Sequence, residues 1–212
     1  MLIAIDGPAG AGKSTVARGV ARALSFTYLD SGAMYRAVAL AALDRDIDLA
    51  DGERLGEMAW NLDISFDGDS LRLDGKPVEG RLRTPEVTVA ASKVSVYPQV
   101  RQAMVKRQRE LIANGNYVAE GRDIGTVVSP DAPLKVFLTA SEDERSRRRA
   151  AETGEPMAQV REAIDDRDRR DRGREYGALR PADDSVTVDT TDLTADQVVE
   201  RIAELARERG IA

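Results

Sequence analysis

The most constraining stretch of this sequence is GPAGAGKS at residues 7–14, which directly follows the apolar run LIAI and an aspartate. It matches the pattern G-x-x-x-x-G-K-[ST], in which glycines let backbone N–H groups turn inward around phosphate oxygens. Residues 14–24 carry apolar side chains at helical spacing. A buried strand before the motif and a helix after it form the expected context. We therefore predict a triphosphate-binding loop rather than a glycine-rich turn that holds no ligand.

Within this loop, the Lys13 ammonium is expected to reach the β- and γ-phosphates, and the Ser14 hydroxyl is expected to bind Mg²⁺. The positive end of the following helix adds to the attraction for the anion. The residues predicted to contact the nucleotide are Gly7, Pro8, Ala9, Gly10, Ala11, Gly12, Lys13, Ser14 and Thr15.

The composition limits the chemistry, because the 212-residue chain contains neither cysteine nor histidine. Cysteine nucleophiles and metal sites built on thiolates are therefore excluded. The commonest general base, histidine, is also missing. Phosphoryl transfer suits the remaining Lys, Arg, Asp, Glu, Ser and Thr, since its catalysis is mostly positioning and charge neutralisation. The guanine-selecting N-K-x-D pattern is absent and the chain is short for a motor ATPase, which favours a small kinase.

The net charge of -6 argues against a general nucleic-acid-binding protein. No segment approaches the ~18 apolar residues of a membrane helix. No signal peptide is recognisable and no exposed apolar stripe stands out. We therefore expect a cytoplasmic monomer without nucleic-acid or membrane partners.

The order of apolar runs and helical patterns predicts an α/β fold with a parallel sheet flanked by helices. Residues 62–80 instead alternate with a period of two around two turns, which indicates a small inserted antiparallel ribbon. Residues 83–97 show a mixed pattern, and residues 141–175 are dominated by charge. The predicted strands of the main sheet are 2–5, 26–29, 117–119, 134–138 and 186–188.

Two further segments place polar residues where predicted strands end, which is where open α/β sheets bind ligands. Ser31 and Arg36 follow the second strand, and an arginine there can form a fork on an acceptor phosphate. Arg122 and Asp123 follow the third strand, as a second phosphate clamp and an acceptor for a base amino group. The alternatives are a helix cap with a solvated arginine, and a loop salt bridge.

The densest charge run is RDRRDRGR at residues 167–174. Such a run is usually a solvated helix face with i,i+4 pairs, but an arginine-rich mobile segment also suits a lid over a triphosphate. Arg145 and Arg149 would share one helix face, and we expect that face to meet ATP.

Taken together, these segments resemble bacterial cytidylate kinases over nearly the whole chain. The blocks SGAMYR, EGRDIGTVV and RDRRDR, in this order, are far more specific than the phosphate loop. The matching segments lie at 5–15, 28–37, 83–101, 119–141 and 167–179.

This resemblance implies a single nucleoside monophosphate kinase domain over residues 1–212, with an inserted acceptor-binding lobe and a charged lid. The core would comprise 1–60, 100–140 and 176–212, the lobe about 61–99, and the lid about 141–175. The implied reaction transfers the γ-phosphoryl group of ATP, with Mg²⁺, to CMP or dCMP.

The resemblance also assigns residue roles. Arg36, Arg122 and Arg174 would hold the CMP phosphate, and Lys13, Arg122 and Arg174 would be the catalytic residues. The remaining acceptor positions are Ser92, Arg101 and Asp123 at cytosine, Arg167 and Asp171 at the sugar, and Ser31 near the bound nucleotide.

The sequence departs from the family pattern at two positions. Glu120 stands where some members have aspartate, and Ser14 stands where some have glycine, which leaves Thr15 as the alternative Mg²⁺ neighbour. Two rival functions stay open: a kinase for another small acceptor such as UMP, AMP or shikimate, and a nucleotide-sensing module without turnover.

Overall fold

The computed structural model describes residues 1–211 and divides into two compact units. The first contains residues 1–29 and the chain from residue 112 onward, and the second contains residues 30–111. The two units do not coincide with the expected core, lobe and lid, so that division stays a prediction.

The first unit is built on a five-stranded sheet in the order β2-β6-β1-β7-β8. β1 lies at its centre, pairs in parallel with β6 and β7, and is buried along its whole length. β8 extends the sheet in parallel from β7. The strands are β1 (Leu2–Asp6), β2 (Thr27–Asp30), β6 (Tyr117–Gly121), β7 (Leu134–Thr139) and β8 (Val186–Asp189).

Helices cover this sheet because their apolar faces need burial. α1 packs against both α9 and β6, and Val20 and Ile202 are fully buried in the shared core. Each such aliphatic side chain contributes about 1.5–3 kcal/mol when buried. The helical elements are α1 (Lys13–Leu24), a π-helical turn (Ile124–Val128), α7 (Glu142–Thr153), α8 (Met157–Arg172) and α9 (Ala195–Glu208).

The second unit centres on the alanine-rich α2, which packs against α3, α4 and α5. Its helices are α2 (Ser31–Asp44), α3 (Gly52–Asn61), α4 (Glu79–Leu82), α5 (Pro85–Val94) and α6 (Pro98–Ile112). A separate antiparallel sheet is formed by β3 (Ile64–Asp67), β4 (Ser70–Leu73) and β5 (Lys76–Pro77).

The predicted α/β class with a parallel central sheet is confirmed, and the ribbon expected over 62–80 is the β3-β4-β5 sheet. The mixed segment at 83–97 contains α5, and the charged stretch contains the paired helices α7 and α8. The helix α3 was not predicted. None of the helices described between residues 1 and 211 has both the length and the apolar character needed to cross a membrane.

Candidate active site

The phosphate loop connects β1 to α1, and its backbone requires glycine. Gly10 and Gly12 have φ of 76° and 83°, in the left-handed region that favours glycine. A Cβ on Gly7 would lie 2.2 Å from the Leu138 carbonyl oxygen, and one on Gly10 would lie 2.8 Å from the Arg145 carbonyl oxygen. The motif therefore folds as a tight turn that depends on its glycines, at the amino end of α1.

Lys13 is the first residue of α1, and its ammonium donates a hydrogen bond of 2.6 Å to the Pro8 carbonyl oxygen. Burial, reinforced by the positive charges of Arg122 and Arg167, lowers the pKa of Lys13 to about 7. An anion bound in the loop would oppose this shift, because it favours the charged form of the lysine. Anion binding in the loop would therefore increase the protonated fraction of Lys13.

Three of the predicted arginines meet at the carboxylate of a fourth predicted residue. Asp171 on α8 is buried and accepts a 2.8 Å hydrogen bond from Arg122 Nε and another from Arg174 Nη2. Arg167 Nε lies 4.0 Å from the same carboxylate. Burial by itself would raise the pKa of Asp171, but the charges of Arg122, Arg174 and Arg167 hold it below its ordinary value. We call these four residues the arginine cluster; it carries a net excess of positive charge.

Asp123 follows Arg122 and is buried where the chain enters the π-helical turn. That turn is fixed by Asp6, whose carboxylate oxygens accept hydrogen bonds of 2.9 and 2.8 Å from the N–H groups of Ile124 and Gly125. Burial raises the pKa of Asp6 to about 7, although these two hydrogen bonds oppose the shift. Asp6 was not predicted as a functional residue, since one aspartate before a glycine carries no distinctive signal in the sequence.

Two more buried carboxylates in the first unit have clear partners. Glu120, uncertain from the sequence, accepts a hydrogen bond from the Tyr28 hydroxyl. Asp168, which was not predicted as a functional residue, accepts a 3.2 Å hydrogen bond from the N–H of Ala9 in the phosphate loop. The two arginines expected to share a face differ in environment, because Arg145 is buried whereas the Arg149 side chain is 40% exposed and pairs with Glu152.

In the second unit, Asp30 organises the start of α2. Its side chain accepts a 2.8 Å hydrogen bond from the Ala33 N–H and pairs with Arg36 at 2.7 Å. Asp30, rather than Ser31, is therefore the N-cap, and Ser31 is buried in the first turn. The alternative of a solvated Arg36 is not what the structure shows, since that side chain is only 16% exposed.

Ser92 on α5 and Arg101 on α6 are also buried. The Ser92 Oγ has no hydrogen-bond partner among the residues that the structure describes. The Arg101 guanidinium lies 5.3 Å from the centre of the Tyr35 ring and donates to the Ser95 carbonyl oxygen at 3.3 Å. Burying such polar groups costs free energy, and buried polar side chains of this kind are typical of a ligand-binding site.

The sequence profile of the cytidylate kinase family matches residues 3–208. The chain belongs to the cytidylate kinase family. A cytidylate kinase of Caldanaerobacter subterraneus subsp. tengcongensis is 49% identical over 97% of this chain and 94% of its own length. One from Carboxydothermus hydrogenoformans is 46% identical over 97% of this chain and 96% of its own length. The family predicted from the sequence is thereby confirmed.

Solved structures agree at the level of the fold. Shikimate kinase from Acinetobacter baumannii superposes with a TM-score of 0.50 at 17% identity, over 100% of this chain and 95% of that one. A gluconokinase from Sinorhizobium meliloti gives a TM-score of 0.51 at 16% identity, over 98% and 95% of the two chains. At this identity the likeness concerns the fold alone, and it is the fold of a small kinase.

Proposed function

We propose that this member of the cytidylate kinase family transfers the γ-phosphoryl group of ATP to CMP or dCMP and releases ADP with CDP or dCDP. One observation carries the proposal: the first unit contains both a phosphate loop with a buried lysine and a separate arginine cluster. A loop alone serves many nucleotide-binding proteins, whereas a second cationic site suits an acceptor that itself bears phosphate.

The donor triphosphate is assigned to the loop from Gly7 to Thr15, with Lys13 at the β- and γ-phosphates. Mg²⁺ commonly uses one or two protein oxygens together with phosphate oxygens and water. Ser14 fits that requirement, because it is half-buried at the start of α1, whereas Thr15 is exposed. Among the described residues no group of three acidic side chains could hold a metal alone, so the ion would depend on the nucleotide.

The acceptor assignments rest on the family resemblance and agree with the chemistry of the side chains. Arginine forks match a phosphate dianion, which suits Arg122 and Arg174 and also Arg36. A buried carboxylate can accept from the cytosine amino group, which suits Asp123. The other assigned contacts are Ser92 and Arg101 at the base, Arg167 and Asp171 at the sugar, and Ser31 near the nucleotide.

In the proposed reaction an oxygen of the CMP phosphate attacks the γ-phosphorus in line, and the bond from that phosphorus to the β,γ-bridging oxygen breaks. ADP leaves with the bonding electrons. No general base is required, because the attacking phosphate is already ionised at neutral pH. Lys13, Arg122 and Arg174 stabilise the charge spread over the transferred group. Mg²⁺ would add its charge to the same neutralisation.

The experiment is an ADP-release assay of the purified chain with ATP and Mg²⁺, run with CMP, dCMP, UMP, AMP, shikimate or no acceptor. We expect ADP release that depends on CMP or dCMP. Preference for another acceptor would contradict the substrate, and binding of ATP without release under any condition would indicate a sensor. The monomeric state and the cytoplasmic location stay predictions; light scattering of the purified chain tests the former.

A further inference from the structure

A buried ion pair is hydrogen-bonded to Ala9 in the phosphate loop. The side chains of Arg145 on α7 and Asp168 on α8 are 5% and 2% exposed, and their charged atoms are 2.6 Å apart. Between them they bind both polar groups of Ala9. Asp168 Oδ1 accepts from its N–H at 3.2 Å, and Arg145 Nη1 donates to its carbonyl oxygen at 3.0 Å. Gly10 lets the Arg145 backbone approach, since a Cβ there would lie within 2.8 Å of it.

Stability alone does not account for this pair. Removing two charges from water costs free energy that their attraction barely returns, and apolar residues of similar size often serve as well. An ion pair instead fixes the relative positions of the groups that it joins, which here are α8 and the phosphate loop assigned to the donor. Exposed charges on the same helix lack this role, as shown by Asp166, which pairs with Arg169 at the surface.

The same face of α8 also holds the arginine cluster. Asp168 and Asp171 are three residues apart, so they lie one above the other on the helix, separated by about 4.5 Å along its axis. Asp168 binds the loop, and Asp171 binds Arg122 and Arg174. A single rigid helical turn therefore connects the donor loop to the cationic groups assigned to the acceptor.

We propose that Asp168 is a positioning residue that couples occupation of the phosphate loop to the placement of the arginine cluster. When donor phosphates order the loop, they fix the position of Ala9 and, through its hydrogen bond, the position of Asp168. Helix α8 then holds Asp171 and its arginines in the position that binds the acceptor. This inference rests on the proposed function, because it takes the loop as the donor site and the cluster as part of the acceptor site. By linkage, the acceptor must tighten donor binding by the same factor.

The test measures coupling rather than turnover. CMP is titrated calorimetrically into the full chain with and without saturating Mg²⁺ and the non-hydrolysable analogue adenylyl imidodiphosphate. For the natural sequence we expect the analogue to tighten CMP binding at least about fivefold, the lower end of typical coupling. Asp168→Asn should reduce this factor to within about twofold of unity, whereas the matched surface variant Asp166→Asn should keep it.

Asp168→Glu is the second variant, because it keeps a negative charge beside Arg145 but moves the carboxylate away from Ala9. It should also lose the coupling, and it decides the matter if Asp168→Asn does not fold. Natural coupling in a folded Asp168 variant, or no coupling in the natural chain, would overturn the inference and leave the proposed function standing. Failure of CMP to bind the natural chain under either condition would overturn both.

Discussion

The phosphate loop and the arginine cluster, as assigned in the proposed function, would bind phosphate in two different ways. The loop uses backbone N–H groups and the end of α1, with Lys13 as its one buried cation. The cluster uses long side chains gathered around the Asp171 carboxylate. The positions of backbone donors are set by the local chain conformation, whereas a group of arginines needs a counter-charge to remain together. Asp171 supplies that charge, so backbone geometry shapes the loop and electrostatics gathers the cluster.

The largest effect on this comparison should come from Arg174→Met, which removes one cation from the cluster and leaves the loop intact. Truncating one partner of a buried, hydrogen-bonded ion pair costs about 2–5 kcal/mol, so CMP affinity should fall about 30-fold or more. ATP affinity should change by less than about threefold, because Arg174 belongs to the cluster around Asp171 and is assigned to the acceptor. Separate calorimetric titrations of the two nucleotides check this, and equal losses for both would erase the distinction between the sites.

Gly10→Ala perturbs the loop instead. An alanine in the left-handed backbone conformation costs about 1–3 kcal/mol, and its Cβ would also clash with the Arg145 backbone. We expect weaker ATP binding, with CMP binding to the ATP-free protein little changed. The matched control is Gly154→Ala, where φ is 74° but nothing lies within 4 Å of the added carbon. If both variants lowered ATP affinity equally, the close packing around the loop would have no functional role.

The pH dependence of stability should distinguish the buried Asp6 carboxyl group from the exposed carboxylates. The pKa of Asp6 rises from 3.8 to about 7 on folding, so the folded state holds its proton more tightly than the unfolded chain. Its contribution to stability is complete below pH 4 and is lost as the pH rises to about 7, at up to about 1.4 kcal/mol per pH unit. Asp6→Asn should remove that slope from urea unfolding curves. Identical slopes in both proteins would contradict a buried, proton-binding Asp6.

The smallest effect is expected for Arg169→Ala on α8. Its side chain is 78% exposed and pairs only at the surface, which is worth at most about 1 kcal/mol. CMP affinity should stay within about twofold of the natural value. A loss comparable to that of Arg174→Met would mean that the exposed charges of α8, and not the buried ones, form the acceptor site.

These two sites also differ in how far the sequence predicts them. The loop can be predicted from the sequence because its backbone geometry requires glycine at fixed spacing. Strand β1 can be predicted because all of its residues are buried and its first four form an apolar run. In α8 the sequence has eight charged residues in succession, at 165–172, and the rotation of the helix against the loop decides which are buried. Asp168 and Asp166 are indistinguishable by residue type, yet only Asp168 faces Ala9. That choice depends on tertiary packing.

Helix α3 illustrates the same limit in the second unit. Gly52 and Gly56 weaken its helical pattern, which is why the sequence did not predict it. Added Cβ atoms at these positions would lie 2.4 Å from the Tyr97 ring and 2.6 Å from Gln99. The glycines therefore serve close packing against residues more than 40 positions away, which local patterns do not encode.

In the proposed reaction the loop lysine stabilises a phosphoryl group as it passes from ATP to CMP. The most direct measurement is the rate of CMP-dependent ADP release by Lys13→Ala beside the natural chain, with CMP affinity determined for both. Loss of one preorganised donor to the transition state typically costs 10²–10³-fold in rate, so we expect a decrease of about that size with CMP binding retained. A rate near that of the natural chain would contradict the account.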